Sequence, residues 1–231
     1  MNIVVLTGAG ISAESGIPVF RGADGLWEGH RVEDVATPEG FARDPQLVHE
    51  FYNRRRAKLL EVKPNAAHGA LARLERELDG QLTLITQNID DLHERAGSRE
   101  VIHMHGELLK ARCRQCGAVV AWREDLSRAN LCKACGGMDS MRPHVVWFGE
   151  MPFHLGWIER ELNRADLFVA IGTSGQVYPA AGFVGAAKES GARTLEINLD
   201  PGGTSRDFDE HRTGLASEQV PAWVDECLGK R

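Results

Sequence analysis

No apolar run in this 231-residue chain approaches the roughly 20 residues needed to span a bilayer, so no membrane partner is expected. There is no long basic tract, and the formal net charge of −6 weighs against nucleic acid as the main partner. No sequence-specific nucleic-acid binding is expected. The opening residues MNIVVLTGAG lack the basic segment and small-residue cleavage site of a signal peptide, which predicts a cytoplasmic protein. Cysteine is scarce. Four of the five cysteines fall into two CxxC pairs, and without export signals that arrangement favours a metal over disulfides. What is present is an ordinary globular composition, 42% hydrophobic and 26% charged. The length suits one large domain or one domain with a small insert.

A further absence lies near the start. Asn2 to Thr7 is an apolar, β-rich run, and Gly8-Ala9-Gly10-Ile11-Ser12-Ala13 follows it in the G-x-G-x-x-A pattern of a Rossmann-type phosphate loop. Two glycines permit a tight turn and a close approach to a pyrophosphate, with the following helix aiming N–H groups at it. A dehydrogenase half would then run a helix into a second strand ending in an acid about 20 residues on. That strand is missing. Gly16 and Pro18 stop the helix early, and residues 19–27 read as a Gly-punctuated loop carrying Phe20, Leu26 and Trp27. A loop this long in a compact domain is usually functional or disordered, and its apolar residues suit one that folds over a ligand.

Residues 31–80 read as helical. Thr37-Pro38 and Asp44-Pro45 each pair an N-cap residue with proline at the first helical position. In LVHEFYNRRRAKLL the apolar side is Leu47, Val48, Phe51 and Leu59, and Asn65 starts an amphipathic helix in which His68 reads as packed or capping. Composition changes after Leu108. Cys113/Cys116 and Cys132/Cys135 are separated by fifteen residues, a zinc pattern, and four thiolates close a tetrahedral coordination sphere and leave no place for water. One structural Zn²⁺ is expected.

The stretch LITQNIDDLHERAGSREVIHMHGE brings the chemistry. A buried strand ends at Thr86, and Gln87, Asn88 and Asp90 stand at its carboxyl end, while VIHMHGE alternates and ends on His105-Gly106. As a strand it places His103 and His105 on one face, roughly 6–7 Å apart. Beyond it, Pro143–Phe148 and Ala165–Ile171 read as strands, the second ending in Gly172-Thr173-Ser174. Arg193–Leu199 is a third, with Asn198 and Asp200 at its end. Strands alternating with helices imply an α/β fold with a largely parallel, doubly wound sheet, whose ligands bind beyond the carboxyl ends of the strands.

Taken in order, GAGISAESGIPVFR, TQNIDDLHERAG, HMHGE, the two cysteine knuckles, VVWFGE, AIGTS and EINLD resemble the sirtuins over nearly the whole chain. Tyr52 and Arg55 in FYNRRR bring it closer to the bacterial, CobB-type class III branch. The resemblance implies an NAD-dependent protein lysine deacylase that removes acetyl, succinyl or malonyl groups. Its implied layout is a Rossmann-like domain of residues 1–30, 81–108 and 141–231, with a small domain of a helical module (31–80) and a four-cysteine zinc ribbon (109–140). NAD would lie on Gly8, Ala9, Gly10 and Ala13, under Phe20, Arg21 and Trp27. Its nicotinamide would meet Gln87, Asn88, Ile89 and Asp90, and its adenosine Gly172, Thr173, Ser174, Asn198, Leu199, Asp200 and Ala216.

His105 is implied as the general base, assisted by Asn88 and Asp90. Val146, Phe148, Gly149 and Glu150 would border the substrate peptide, Tyr52 and Arg55 would meet an acyl carboxylate, and Ala36 would keep the acyl pocket wide. The products would be deacylated lysine, nicotinamide and O-acyl-ADP-ribose. Neutral imidazole suits the task because its reference pKa is about 6.5. Protein ADP-ribosylation, which shares the first bond cleavage, is the nearest alternative. A hydride-transferring dehydrogenase needs neither the QNID and His-Gly motifs nor the ribbon.

Overall fold

A computed structural model describes residues 1–19 and 26–229. From the N-terminus, β1 (Asn2–Thr7) runs into the short helix α1 (Ala9–Ala13), and Gly16, at φ +93°, turns the chain away from it. A small hairpin, β2 (Leu26–Trp27) and β3 (His30–Arg31), comes next. Two-residue strands are too short to leave a periodic signal, and the sequence reading has only loop here. Four helices follow: α2 (Val32–Val35), α3 (Pro38–Arg43), α4 (Pro45–Glu61) and α5 (Ala66–Glu77). The expected caps are made, with Thr37 Oγ1 accepting from Gly40 N at 2.9 Å and Asp44 Oδ1 from Leu47 N at 3.0 Å. At α5, Asn65 accepts from Ala67 N at 2.9 Å while His68 Nδ1 accepts from Asn65 N at 3.3 Å, a reciprocal cap.

The remaining elements are β4 (Gln81–Thr86), α6 (Leu92–Ala96), β5 (Val101–His103), β6 (Gly106–Cys113), β7 (Val119–Ala121), β8 (Met141–Val145), α7 (Leu155–Leu162), β9 (Leu167–Ile171), α8 (Phe183–Glu189), β10 (Arg193–Asn198), β11 (Glu210–Thr213) and α9 (Ala216–Cys227). Six of the strands pair in parallel in the order β11-β10-β9-β1-β4-β5. The chain starts in the middle, moves outward through β4 and β5, then returns to the other side of β1. The order therefore reverses at β1, and a crevice opens there beyond the carboxyl ends.

Alternation along β1 explains the layers. Ile3 and Val5 face Leu71, Leu74 and Trp223 of α5 and α9, whereas Val4 and Leu6 face Ile158, Leu162, Phe183 and Val184 of α7 and α8. Both faces are covered, as an all-parallel sheet requires. A separate antiparallel sheet, β7-β6-β8, carries the cysteines at one end. The strand read at 143–148 is instead Met141–Val145, and it pairs with β6 in this small sheet. The knuckle at Cys132–Gly136 returns the chain beside β6, a long-range pairing that local apolar pattern cannot specify. No helix among the described residues is long and apolar enough to cross a membrane.

Candidate active site

Each strand of the parallel sheet releases part of the site at its carboxyl end. Main-chain bonds stitch these loops into a row: Gly8 N donates to Ile171 O at 2.9 Å, Gly10 N to Gly172 O at 2.9 Å, Gln87 N to Thr7 O at 2.9 Å, Met104 N to Thr86 O at 3.1 Å, Gly172 N to Ile197 O at 3.0 Å and Gly214 N to Asn198 O at 3.0 Å. Opposite them stand the β2–β3 hairpin and α4. Between the two walls lies a cleft of about 810 Å³, and every candidate residue from the sequence that falls within the described residues, the four cysteines apart, lines it. Phe20 and Arg21 lie outside the described residues.

The glycines of the first loop have a reason that the motif alone does not give. A Cβ on Gly8 would lie 2.7 Å from Gly172 O, and one on Gly10 would lie 2.7 Å from Gly172 Cα. Gly172 itself takes φ +61°. The close approach is thus loop against loop, and it fixes both sides of the crevice. Gly10→Ala should therefore lower stability by about 1–3 kcal/mol through overpacking, or roughly 3–10 °C in Tm. Thermal unfolding measures this, and an unchanged Tm would mean the loops can separate freely.

Gln87 to Asp90 owe their order to Ser12, which stands in the first loop motif with no role of its own implied there. Ser12 Oγ donates to Asp90 Oδ2 at 3.0 Å and accepts from Asn88 Nδ2 at 3.3 Å, and Asn88 Nδ2 also reaches Gly8 O at 3.0 Å. Asp90 accepts in addition from Leu92 N at 3.1 Å. Burial raises the Asp90 carboxyl above its ordinary value, against the pull of these donors. Behind this loop His68 and His93 meet ring to ring at 4.9 Å. Burial holds both well below the usual histidine range, His68 at about 4. His68 is a capping and packing residue, as its position in α5 suggests.

The two histidines of HMHG separate completely. β5 stops at His103, and the chain turns through Met104 and His105 into β6, so they do not share a strand face as expected. The turn is imposed at Gly106, where φ is +82° and a Cβ would lie 2.2 Å from His144 O; only glycine fits. His103 points away from the cleft. Its Nε2 lies 2.6 Å from Glu94 Oε1 and its Nδ1 3.2 Å from Asn88 O. Burial opposes its charge, but the Glu94 carboxylate outweighs burial and raises its pKa. His105 lines the cleft, with Nδ1 3.0 Å from Gln87 O. A carbonyl can only accept, so Nδ1 carries the proton and Nε2 keeps its lone pair. Burial lowers the His105 pKa, partly offset by the Gln87 carbonyl.

On the opposite wall the three arginines of FYNRRR differ in burial. Arg54 is exposed at the edge of the cleft, Arg56 is 1% exposed and donates to Leu108 O at 3.1 Å, and Arg55 lines the cleft with its side chain largely buried. Tyr52 is buried, and its hydroxyl accepts from Trp147 Nε1 at 3.0 Å. Trp147, which has no motif position of its own, neighbours Phe41 and Tyr52 and closes the floor of this end. Ala36 accepts from Phe148 N at 2.9 Å, and His105 O from Val146 N at 2.8 Å. Glu150 borders the cleft, but its carboxylate is engaged by Arg142 at 2.6 and 2.9 Å and by Trp147 N at 2.9 Å. Asn198 is likewise engaged, donating to Thr173 O at 2.7 Å, while Asp200 stands exposed at that edge.

The four ribbon cysteines bring their Sγ atoms within 4.8 Å of one another, with Cys113–Cys135 at 3.8 Å and Cys116–Cys132 at 3.7 Å. Four sulfurs at about 2.3 Å from a tetrahedral Zn²⁺ would stand about 3.8 Å apart. The donor set therefore fits one zinc, and it is remote from the cleft, which none of the four cysteines lines.

Comparison with known proteins agrees with this geometry. The model of the Sir2 family matches residues 8–179. A curated relative from Vibrio parahaemolyticus serotype O3:K6, an NAD-dependent protein deacylase, is 64% identical over 229 residues, covering 98% of this chain and 95% of the relative. Among solved structures, a Sir2 homologue in complex with NAD superposes with TM-score 0.89 at 44% identity, over 97% of this chain and 88% of the other. A Sir2 protein bound to an acetylated peptide superposes with TM-score 0.81 at 31% identity, over 97% of this chain and 92% of that one.

Proposed function

The chain belongs to the Sir2 family, and from that premise we propose an NAD-dependent protein lysine deacylase that acts on acetyl-, succinyl- and malonyl-lysine. The observation that carries this reading is the cleft itself, in which an imidazole with a free Nε2 stands between Gln87–Asp90 and Val146–Glu150. NAD, when bound, supplies the nicotinamide leaving group and the ribose that receives the acyl group. Gly8, Ala9, Gly10, Ala13, Trp27 and Gly172–Ser174 would hold its phosphates and neighbouring sugar. Asn198, Leu199, Asp200 and Ala216 would take the adenosine end. Gln87, Asn88, Ile89 and Asp90 would hold the nicotinamide end, kept in place by Ser12.

His105 Nε2 would take a proton from a ribose hydroxyl, and its depressed pKa keeps it neutral for that step at cellular pH. The substrate peptide would lie along Val146, Phe148 and Gly149 as an added strand. Residues 31–80 and 109–140 would form the small domain over a Rossmann-like domain of 1–30, 81–108 and 141–231. We place the protein in the cytoplasm, without a sequence-specific nucleic-acid partner. Mass spectrometry of one acetylated and one succinylated peptide, each with and without NAD, tests the reading. One nicotinamide should be released per acyl group removed. Nicotinamide release with ADP-ribose added to the protein would favour the ADP-ribosyl-transfer alternative, and no NAD-dependent loss of acyl mass would overturn the proposal.

Acyl selectivity gives a second test. A guanidinium can bind a carboxylate bidentately, and Arg55 stands beside Tyr52 at i, i+3 on one face of α4. Truncating one partner of a buried charge pair costs roughly 2–5 kcal/mol. In an open-ended pocket Arg55→Met should fall at the low end, about 10–100-fold in kcat/KM for succinyl-lysine. Acetyl-lysine has no carboxylate and should lose much less. Equal losses on the two peptides would make Arg55 a structural residue.

A further inference from the structure

Arg55 already has an anion. Its guanidinium is stacked on Phe51, 3.1 Å from the ring centroid, and lies 4.8 Å from that of Trp27. Nη1 donates to Phe51 O at 2.8 Å, and neither Nε nor Nη2, both buried, makes a hydrogen bond. Nη2 meets the carboxylate of Glu28 as an ion pair. The arginine side chain is 13% exposed and the glutamate 37% exposed. Burial lowers the guanidinium to about 9, so it still carries its charge at neutral pH and requires a counter-ion.

The placement of Glu28 is built into the backbone. Leu26 pairs with Arg31 and Trp27 with His30, which leaves Glu28 and Gly29 as a two-residue turn. Both take positive φ, +45° and +80°, the pattern of a type I′ hairpin. Positive φ is uncommon for a residue with a side chain other than Asn, Asp or His. The hairpin is pinned on either side, by Trp27 edge-on to Phe51 and Tyr52 at 5.0 and 6.2 Å and by His30 on Phe51 at 5.4 Å. Between those two anchors Glu28 faces Arg55, and both line the cleft with Tyr52 and Ala36.

We propose that Glu28 is the resident counter-ion of Arg55 and a specificity-determining residue, which an incoming acyl carboxylate must displace and a neutral acyl group need not. This rests on reading Arg55 as the residue that meets the acyl carboxylate. A guanidinium has five N–H donors in a fixed fork. With Nη1 shared with the α4 backbone and Nε walled in by its neighbours, Arg55 cannot hold two carboxylates in bidentate fashion. Two like charges on one cation also repel each other. Glu28 thereby holds down the preference for succinyl- and malonyl-lysine relative to acetyl-lysine.

The test is steady-state deacylation of one peptide sequence carrying either acetyl- or succinyl-lysine at the same position, at saturating NAD. It compares wild type, Glu28→Gln, Glu28→Asn and Arg55→Met. Gln keeps the shape without the charge, and Asn favours the positive φ of the turn, so one of the two retains the hairpin if the other does not. The succinyl-to-acetyl ratio of kcat/KM should rise about 3–10-fold in both Glu28 variants, through a lower KM for the succinyl peptide. An unchanged ratio, or a raised succinyl KM, would overturn the proposal, the latter making Glu28 a support for Arg55. The Arg55→Met arm separates the two readings. A selective loss there beside an unchanged Glu28→Gln ratio removes only the role of Glu28, whereas equal losses on both peptides remove the reading of Arg55 itself.

Discussion

Replacing His105 with alanine should lower kcat/KM for deacylation by about 10²–10⁴-fold, the range that general-base catalysis contributes, while leaving the fold intact. The imidazole sits in the turn at the cleft, held through Nδ1 by the Gln87 carbonyl. Its removal empties a position rather than breaking an element. His103→Ala should behave differently. That ring ties Glu94 to the Asn88 carbonyl, so its loss should loosen the Gln87–Asp90 loop and affect stability along with activity. The pH profile separates a base from a support. His105 must be neutral to accept a proton, and burial depresses its pKa. The activity of the wild type should therefore be level above about pH 6.5 and fall only below it. An active His105→Ala beside an inactive His103→Ala would reverse the assignment.

Removing the metal should have the second largest effect. The core of the ribbon consists of Ala111, Cys113, Leu126, Cys132 and Met141, and two of those five belong to the four-cysteine cluster that fits the metal. So small a cluster cannot order the segment by apolar burial. Structural zinc contributes about 10–16 kcal/mol in isolated zinc-binding peptides, as much as the whole stability of a typical domain. Cys132→Ala, or chelation, should thus abolish the one bound Zn²⁺ and unfold the β6–β8 sheet. Because β6 begins at Gly106 and β8 ends at Val145, directly beside His105 and Val146, activity should decline in step with the folded fraction. Metal analysis, circular dichroism and turnover on the same samples would follow all three. A zinc-free variant that is folded and fully active would refute the structural role.

Local features were legible in the sequence because each is fixed by near neighbours. The Thr37 and Asp44 caps, the buried run of β4, the Gly8–Ala13 loop and the CxxC spacing all depend on a few adjacent residues. Features set by distant partners were not. Alternation across VIHMHGE suggested one continuous strand, but the turn arises where Gly106 presses against His144, far along the chain. The segment after Arg142 carried a strand signal without saying which sheet it joins. Arg54, Arg55 and Arg56 look alike in sequence, and only the helix's orientation leaves one exposed at the edge of the cleft, one buried along its wall and one in the interior. Ser12 and Trp147 carry no motif of their own; each matters through the group it holds.

The row of main-chain bonds joining the loops of β1, β4, β5, β9, β10 and β11 gives the cleft one stiff wall and one adaptable one. Ordering a loop on binding carries an entropic penalty, and on the sheet side the main-chain bonds between loops reduce it. Adaptation then falls to the side built from the short β2–β3 hairpin, which meets α4 through side chains, Trp27 and His30 on Phe51, rather than through a row of main-chain bonds. Differences in substrate affinity between variants should accordingly express themselves as differences in the order of that side, with slow amide exchange along the sheet edge and faster exchange across it.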